Sequence, residues 1–96
     1  MKAYQLTKQA FKALKSLSKN DIKTAKKLKT IIEKLRSNSI AGESLQGYSK
    51  FKKIRAGKYR LIYLDQEELV LIAIIEKRET VYQTFAHLFK NSSFLE

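Results

Sequence analysis

The segment Phe51–Leu64, with the sequence FKKIRAGKYRLIYL, decides how this chain folds. Its second half is rich in aromatic and β-branched residues, and its first half can alternate as a strand, so both halves predict β-structure. Between them, Ala56-Gly57-Lys58 predicts a tight turn, because a glycine readily adopts a positive φ angle. We therefore expect a hairpin with strands over about 51–55 and 59–64.

Two further elements follow this hairpin along the chain. The run 69–75 is the most apolar part of the sequence, which predicts an interior strand buried on both faces. The polar residues 65–68 before it predict a second hairpin connection. Apolar residues at helical spacing over 80–90 favour a closing helix. We expect residues 91–96 to fray, because the last residues of a chain are poorly ordered unless other contacts hold them.

The first third of the chain has a different period. Residues 2–6 predict a short opening strand, and Thr7 stands where a helix N-cap belongs. Apolar residues then recur every three or four positions over about 8–17 and again up to about Arg36, which predicts two amphipathic helices. The residues that interrupt the pattern and can cap the second helix are Ser18, Asn20 and Asp21.

The predicted element order is β-α-α-β-β-β, with a final helix as an option. This order is typical of an α+β fold in which a two-helix hairpin packs on one face of an antiparallel sheet. The other face of the sheet need not be covered. A length of 96 residues is that of one domain, so we expect a single domain over residues 1–96.

Composition limits the classes of function. The chain has 20 basic and 9 acidic residues, a net charge of +11, which points to a polyanion: nucleic acid, a membrane surface or an acidic protein. Residues 8–36 hold much of this charge, either as a solvated helix face or as a dock for such a partner. The sequence has no cysteine and one histidine, which excludes a disulfide framework, a thiol nucleophile and a zinc site. No apolar run approaches a membrane span and no signal peptide is evident, so we expect a cytoplasmic protein.

Cationic side chains recur on the predicted strands. Lys53 and Arg55 share a strand face by the two-residue period, and Arg60 lies across the hairpin. Arg78 follows the apolar strand, and Tyr82 comes four residues later. Guanidinium groups suit phosphate through paired hydrogen bonds, and an aromatic ring beside them can hold an unstacked base. The alternative is that these side chains simply point to solvent.

The motifs of this region resemble those of the RelE/ParE toxin superfamily of toxin–antitoxin modules. The matching features are Leu45-Gln46-Gly47, the run 51–63, and the late pair Arg78 and Tyr82, so that the resemblance covers about residues 2–85. It implies a toxin that enters the ribosomal A site and cuts mRNA by attack of the ribose 2′-OH on the adjacent phosphorus. It also implies that this chemistry uses no metal and no cofactor, and that an acidic antitoxin is the partner.

The resemblance also assigns roles to residues. Lys53 matches a catalytic lysine, with Lys52 as a competitor for the same position, and Arg60 matches the arginine that braces the phosphate. Arg78 matches the arginine near the leaving oxygen, and Tyr82 matches the tyrosine that stacks on or orients the nucleotide. The implied catalytic residues are therefore Lys53, Arg60, Arg78 and Tyr82, and the implied RNA-binding residues are Lys52, Arg55 and Lys58.

Two other functions and three other residues stay open at this stage. A gyrase-inhibiting toxin of the ParE branch shares the fold, whereas a double-stranded RNA-binding domain is disfavoured because two helices precede the strands here. Glu76 or Glu79 is either an acid/base group or an ion-pair partner of Arg78. His87 lies in the predicted closing helix, where we expect a structural role.

Overall fold

The computed structural model describes residues 1–89, within which three helices pack against one five-stranded sheet. The elements in chain order are β1 (Ala3–Leu6), α1 (Lys8–Asn20), α2 (Ile22–Arg36), β2 (Glu43–Leu45), β3 (Tyr48–Ala56), β4 (Tyr59–Asp65), β5 (Leu69–Lys77) and α3 (Val81–Phe89). The predicted α+β fold is confirmed. The predicted fraying of residues 91–96 lies outside the described residues.

The helix boundaries follow from side-chain caps. The Thr7 hydroxyl accepts a hydrogen bond from the first turn of α1, as predicted, and the Asp21 carboxylate accepts one from the N–H of Thr24 in α2. Helix α1 ends three residues later than expected. The reason is that Ser18 does not cap the next helix: its hydroxyl donates to the carbonyl of Leu14 within α1.

The sheet has the strand order β1-β5-β4-β3-β2, and it departs from the expected antiparallel sheet at one edge. β1 runs parallel to β5, with Ala3 opposite Leu69 and Leu6 opposite Ile72. A parallel pair needs a long connection, and the intervening elements from α1 to β4 provide it. β2 was not predicted, because its three residues are too few to show a period.

Helices pack against both faces of the sheet, but they cover one face more completely than the other. One face packs against α1 and α2, as predicted, through Leu61, Ile72 and Ile75. The other face is partly covered by α3, whose Phe85 and Phe89 rings lie 4.9 and 5.5 Å from that of Phe51. Because α3 covers part of this face, the end of the sheet near the β3–β4 turn stays open there. No helix within residues 1–89 has both the length and the apolar character needed to cross a membrane.

The start of α1 is fixed to the edge of β5 beyond the end of β1. The Thr7 hydroxyl donates to the carbonyl of Ala73 at 2.6 Å. The Gln9 amide then donates to the carbonyl of Ile75 and accepts from its N–H, at 2.8 and 2.9 Å. These side chains satisfy strand-edge groups that would otherwise need another strand. They also place α1 close to α3.

Candidate active site

The β3–β4 hairpin places three cations on one face of the sheet. In its register Arg55 lies opposite Arg60, Lys53 opposite Ile62 and Phe51 opposite Leu64. Side chains directly opposite each other in an antiparallel pair project to the same face. Because Phe51 packs against α3, this is the α3 face, and the cations occupy its uncovered end.

A cleft of about 590 Å³ lies at this end of the sheet. It brings together all four predicted catalytic residues, Lys53, Arg60, Arg78 and Tyr82, and also the predicted RNA-binding Arg55. Residues of β2 and of the segment before it form the opposite wall. The cleft therefore presents four cationic side chains and one phenol ring to a single space.

Arg60 is held firmly in this cleft. The residue is only 7% exposed, and its Nη1 donates to the carbonyls of Gly57 and Tyr59, both at 2.9 Å. These carbonyls belong to the tight turn, where Gly57 has a φ angle of +61°. The turn thus fixes one nitrogen of the guanidinium, and no other hydrogen bond to it forms within residues 1–89. The remaining N–H groups can donate to an anion.

Tyr82 and Arg78 enter the cleft from the segment after β5. The ring of Tyr82, in the first turn of α3, is 42% exposed and lies 5.5 Å from the Nζ of Lys53, within cation–π distance. The backbone N–H of Arg78 donates to the carbonyl of Lys58 at 2.9 Å. This bond ties the end of β5 to the β3–β4 turn, so that Arg78 and Arg60 belong to one rigid corner.

Glu43 is a cleft residue that sequence reasoning missed. It lies on β2 as the direct partner of Lys53 on β3, and it is the one carboxylate among the described residues that line the cleft. The two side chains therefore project to the same face. The sequence signal was weak, because Glu43 precedes the Leu45-Gln46-Gly47 motif but lies in a strand that has no detectable period.

Gly42 sets the distance between the two walls of the cleft. A Cβ at this position would lie 2.4 Å from the carbonyl oxygen of Lys53 and 2.9 Å from the Cγ1 of Ile54. The Gly42 N–H also donates to the hydroxyl of Tyr63 at 2.7 Å. Burial of the Tyr63 ring raises the pKa of its hydroxyl above the usual 10.0, which keeps the group protonated.

Two predicted RNA-binding residues do not line the cleft. Lys52 adjoins Lys53 on β3, so the alternation of side chains places Lys52 on the opposite side of the sheet, the side that α1 and α2 cover. This geometry favours Lys53 over Lys52 for the catalytic position. Lys58 lies in the β3–β4 turn, on the side of α2. Its charge reaches Asp21 at the start of that helix, because it helps to lower the Asp21 pKa, which hydrogen bonds from Thr24 lower most. A contact of Lys52 or Lys58 with RNA stays a prediction.

The remaining acidic residues and His87 do not extend the cleft. Glu76 lies opposite Arg60 on β5 and therefore projects to the same face, but it does not line the cleft, and its Oε2 is buried without a hydrogen-bond partner in the described part of the chain. Neither Glu76 nor Glu79 forms the predicted ion pair with Arg78 within residues 1–89. His87 lines a different groove, beside α1. Residues 1–89 contain no group of histidine, cysteine and acidic residues that could hold a metal ion.

With this geometry established, comparison with known proteins identifies the family. Residues 4–82 match the family model of the ParE toxin of type II toxin–antitoxin systems. The chain therefore belongs to this family of toxins, within the RelE/ParE superfamily that its motifs resemble. No curated protein matches the sequence.

Solved structures share the fold at low sequence identity. The YoeB dimer from Staphylococcus aureus aligns with a TM-score of 0.72 at 23% identity, over 80% of this chain and 97% of that chain. A YoeB–YefM complex from the same organism gives 0.69 at 21%, over 81% and 98%. A YafQ mutant from E. coli gives 0.67 at 21%, over 93% and 99%. Relatives this distant establish the fold.

Proposed function

We propose that this toxin is a ribosome-dependent mRNA endoribonuclease that inhibits translation in the cytoplasm. The observation that carries the proposal is the convergence of Lys53, Arg60, Arg78 and Tyr82 on one cleft. Cations gathered on a partly open surface suit a phosphodiester, and a phenol ring beside them suits an unstacked base. A toxin that merely occupied a protein surface would not need this arrangement.

In the proposed reaction the ribose 2′-oxygen attacks the adjacent phosphorus while a base of the toxin takes its proton. The bond to the 5′-oxygen of the next nucleotide breaks, that oxygen takes a proton from solvent water at the open cleft, and the base later returns its proton to solvent. The products are a 2′,3′-cyclic phosphate and a 5′-hydroxyl. Arg60 and Arg78 stabilise the extra negative charge on the phosphorane, which is the work that a metal ion does in other nucleases, so we propose that no metal is needed.

Two residues compete for the role of base. Lys53 is the candidate that the family resemblance implies, and Glu43 is its partner across the strands. A carboxylate accepts a proton directly, whereas an ammonium group must first lose one. In one assignment Lys53 takes the proton. In the other Glu43 takes it, and Lys53 stabilises the phosphorane and holds the ring of Tyr82.

The proposed partners are the ribosome with its mRNA and a cognate antitoxin. The net charge of +11 favours association with ribosomal RNA and with an acidic protein. YoeB from S. aureus has been solved in a heterotetrameric toxin–antitoxin complex with YefM, which supports a protein partner of this kind. We propose that an acidic segment of the antitoxin binds this toxin.

The proposal is tested with purified ribosomes that translate a reporter mRNA, followed by primer extension. The toxin should cut within translated codons and leave 2′,3′-cyclic phosphate and 5′-hydroxyl ends. Arg78→Ala should reduce the rate by about 10²-fold or more, since it removes an exposed group that stabilises transition-state charge. Lys26→Ala, on the exposed side of α2, is the matched control and should cut normally. An intact message together with altered DNA supercoiling would instead indicate the gyrase-inhibiting alternative.

The choice of base is tested with Lys53→Met and Glu43→Gln in the same assay. Loss of the base should slow single-turnover cleavage by about 10²- to 10⁴-fold. If Glu43 is the base, Glu43→Gln should show this loss and Lys53→Met a smaller one. If Lys53 is the base, Lys53→Met should show it, and Glu43→Gln should cleave at close to the wild-type rate.

A further inference from the structure

A second concavity, which we call the α1–α3 groove, lies away from the candidate active site. It has a volume of about 800 Å³ and is lined by residues at the start of α1 and along α3, among them Lys8, Lys12, Gln83, His87, Leu88 and Phe89. It shares no described residue with the catalytic cleft. The two sites lie on opposite flanks of α3, with Tyr82 on one flank and Leu88 on the other.

The groove has an apolar floor and a cationic rim. Leu88 is 47% exposed although it is a large aliphatic residue, and Phe11 on α1, which is not among the lining residues, is 54% exposed. Lys8 and Lys12 stand one turn apart on α1, on the same side of the helix as Phe11. No carboxylate occurs among the described lining residues. An occupant of complementary chemistry is therefore negatively charged and carries an apolar side chain.

We propose that the α1–α3 groove binds an acidic peptide segment of the antitoxin, with an aliphatic or aromatic side chain of the segment against Leu88 and its carboxylates near Lys8 and Lys12. The proposal rests on the proposed function as a toxin with an acidic protein partner. The groove suits a peptide better than RNA because its described lining contains no arginine to pair with phosphate, and because its exposed apolar surface is the aliphatic Leu88, whereas Phe89 is buried. His87 is the one exposed aromatic ring among the described lining residues.

This location gives the antitoxin a way to bind without filling the catalytic cleft. Helix α3 carries Tyr82 at its first turn and Leu88 at its last, so one short helix contributes to both sites. A segment held in the groove would lie within one helix diameter of Tyr82. The rest of the antitoxin could then reach the cleft, while the groove provides a separate anchor.

The experiment uses a synthetic 20-residue peptide as the probe, with leucines at helical spacing on one side and glutamates on the other. Binding to the full-length toxin is measured by fluorescence anisotropy at low salt, and amide shifts in NMR spectra locate the peptide. A peptide with serines in place of the leucines is the control for apolar anchoring. A single-stranded oligoribonucleotide of equal charge is the control for general attraction to anions.

Leu88→Glu should weaken peptide binding at least tenfold, because it puts a like charge at the apolar anchor. The Lys8→Glu/Lys12→Glu double variant should weaken binding about tenfold at low salt and less at high salt. The Lys26→Glu/Lys29→Glu double variant makes the same change in net charge on exposed positions of α2 and should have a smaller effect. Circular dichroism checks that each variant is folded.

Several results would overturn the proposal. They are wild-type affinity in Leu88→Glu, equal losses in the two lysine double variants, amide shifts confined to the catalytic cleft, or no saturable binding below about 1 mM. Preferential binding of the oligoribonucleotide in the groove would assign it to RNA instead. Failure of the proposed nuclease is a separate result, since it would appear as absent cleavage by the wild-type toxin. Leu88→Glu should cleave mRNA like the wild type.

Discussion

Gly42→Ala should destabilise the fold and distort the candidate active site together. The added Cβ would lie 2.4 Å from the carbonyl oxygen of Lys53, a backbone atom that cannot move unless β2 separates from β3. Such overpacking lowers the free energy of unfolding by about 1–3 kcal/mol. Displacement would also break the hydrogen bond from Gly42 to the buried Tyr63 hydroxyl, for a further ~0.5–1.5 kcal/mol.

The expected total is about 1.5–4.5 kcal/mol, which urea unfolding followed by circular dichroism can measure. Gly47→Ala is the matched control: its φ of +83° strains an alanine by about 1–2 kcal/mol, but an added Cβ would meet no atom within 4 Å. Gly42→Ala should also slow mRNA cleavage under conditions where it is fully folded, because Glu43 moves with β2. Wild-type stability and wild-type cleavage in Gly42→Ala would refute the argument that Gly42 spaces the cleft walls.

Three further predictions concern stability and can be checked by urea unfolding. Arg60→Ala should lose about 1–3 kcal/mol because two carbonyls lose their donor, whereas the exposed Arg78→Ala should change by less than about 0.5 kcal/mol. Because the pKa of Tyr63 is raised in the folded state, its hydroxyl ionises just above pH 10.0 only in the unfolded chain, and this lowers the free energy of unfolding as the pH rises. In Tyr63→Phe, the free energy of unfolding should therefore fall less steeply in this pH range than in the wild type. The lowered pKa of Asp21 stabilises the fold above pH 3.8, so Asp21→Ala should be less stable at neutral pH and its deficit should shrink in acid.

The hairpin and the helices were predictable because their apolar patterns repeat over many residues. The strands of residues 51–55 and 59–64, the apolar strand and both amphipathic helices all appear close to their expected places. β2 escaped prediction because three residues cannot display alternation. The parallel pairing of β1 was equally hidden, since the direction of an edge strand depends on long-range contacts that a local pattern does not encode.

Because a local pattern does not encode long-range contacts, the sequence predicted the residues of the site but not the strand face that each one occupies. Motif resemblance named Lys53, Arg60, Arg78 and Tyr82, and these residues do line one cleft. It left Lys52 and Lys53 as competitors, because sequence alone does not fix which face of a strand points toward the cleft. Register decides this: Lys53 lies opposite Ile62, on the α3 face, and a shift of one residue would have exchanged the two lysines.

The fold explains why like charges can gather in the cleft at all. Four cations and one carboxylate share this space, and mutual repulsion opposes such a cluster unless rigid elements impose it. The tight turn fixes Arg60 through two carbonyls, and the bond between Arg78 and Lys58 fixes the end of β5. Backbone groups hold these residues in place without adding formal charge, and four lining cations face one lining carboxylate, so an excess of positive charge remains for a ligand even with Glu76 opposite Arg60. In the proposed reaction, a phosphodiester would relieve this repulsion most in the phosphorane, where its own negative charge increases, so the same cluster of cations would favour the transition state over the bound substrate.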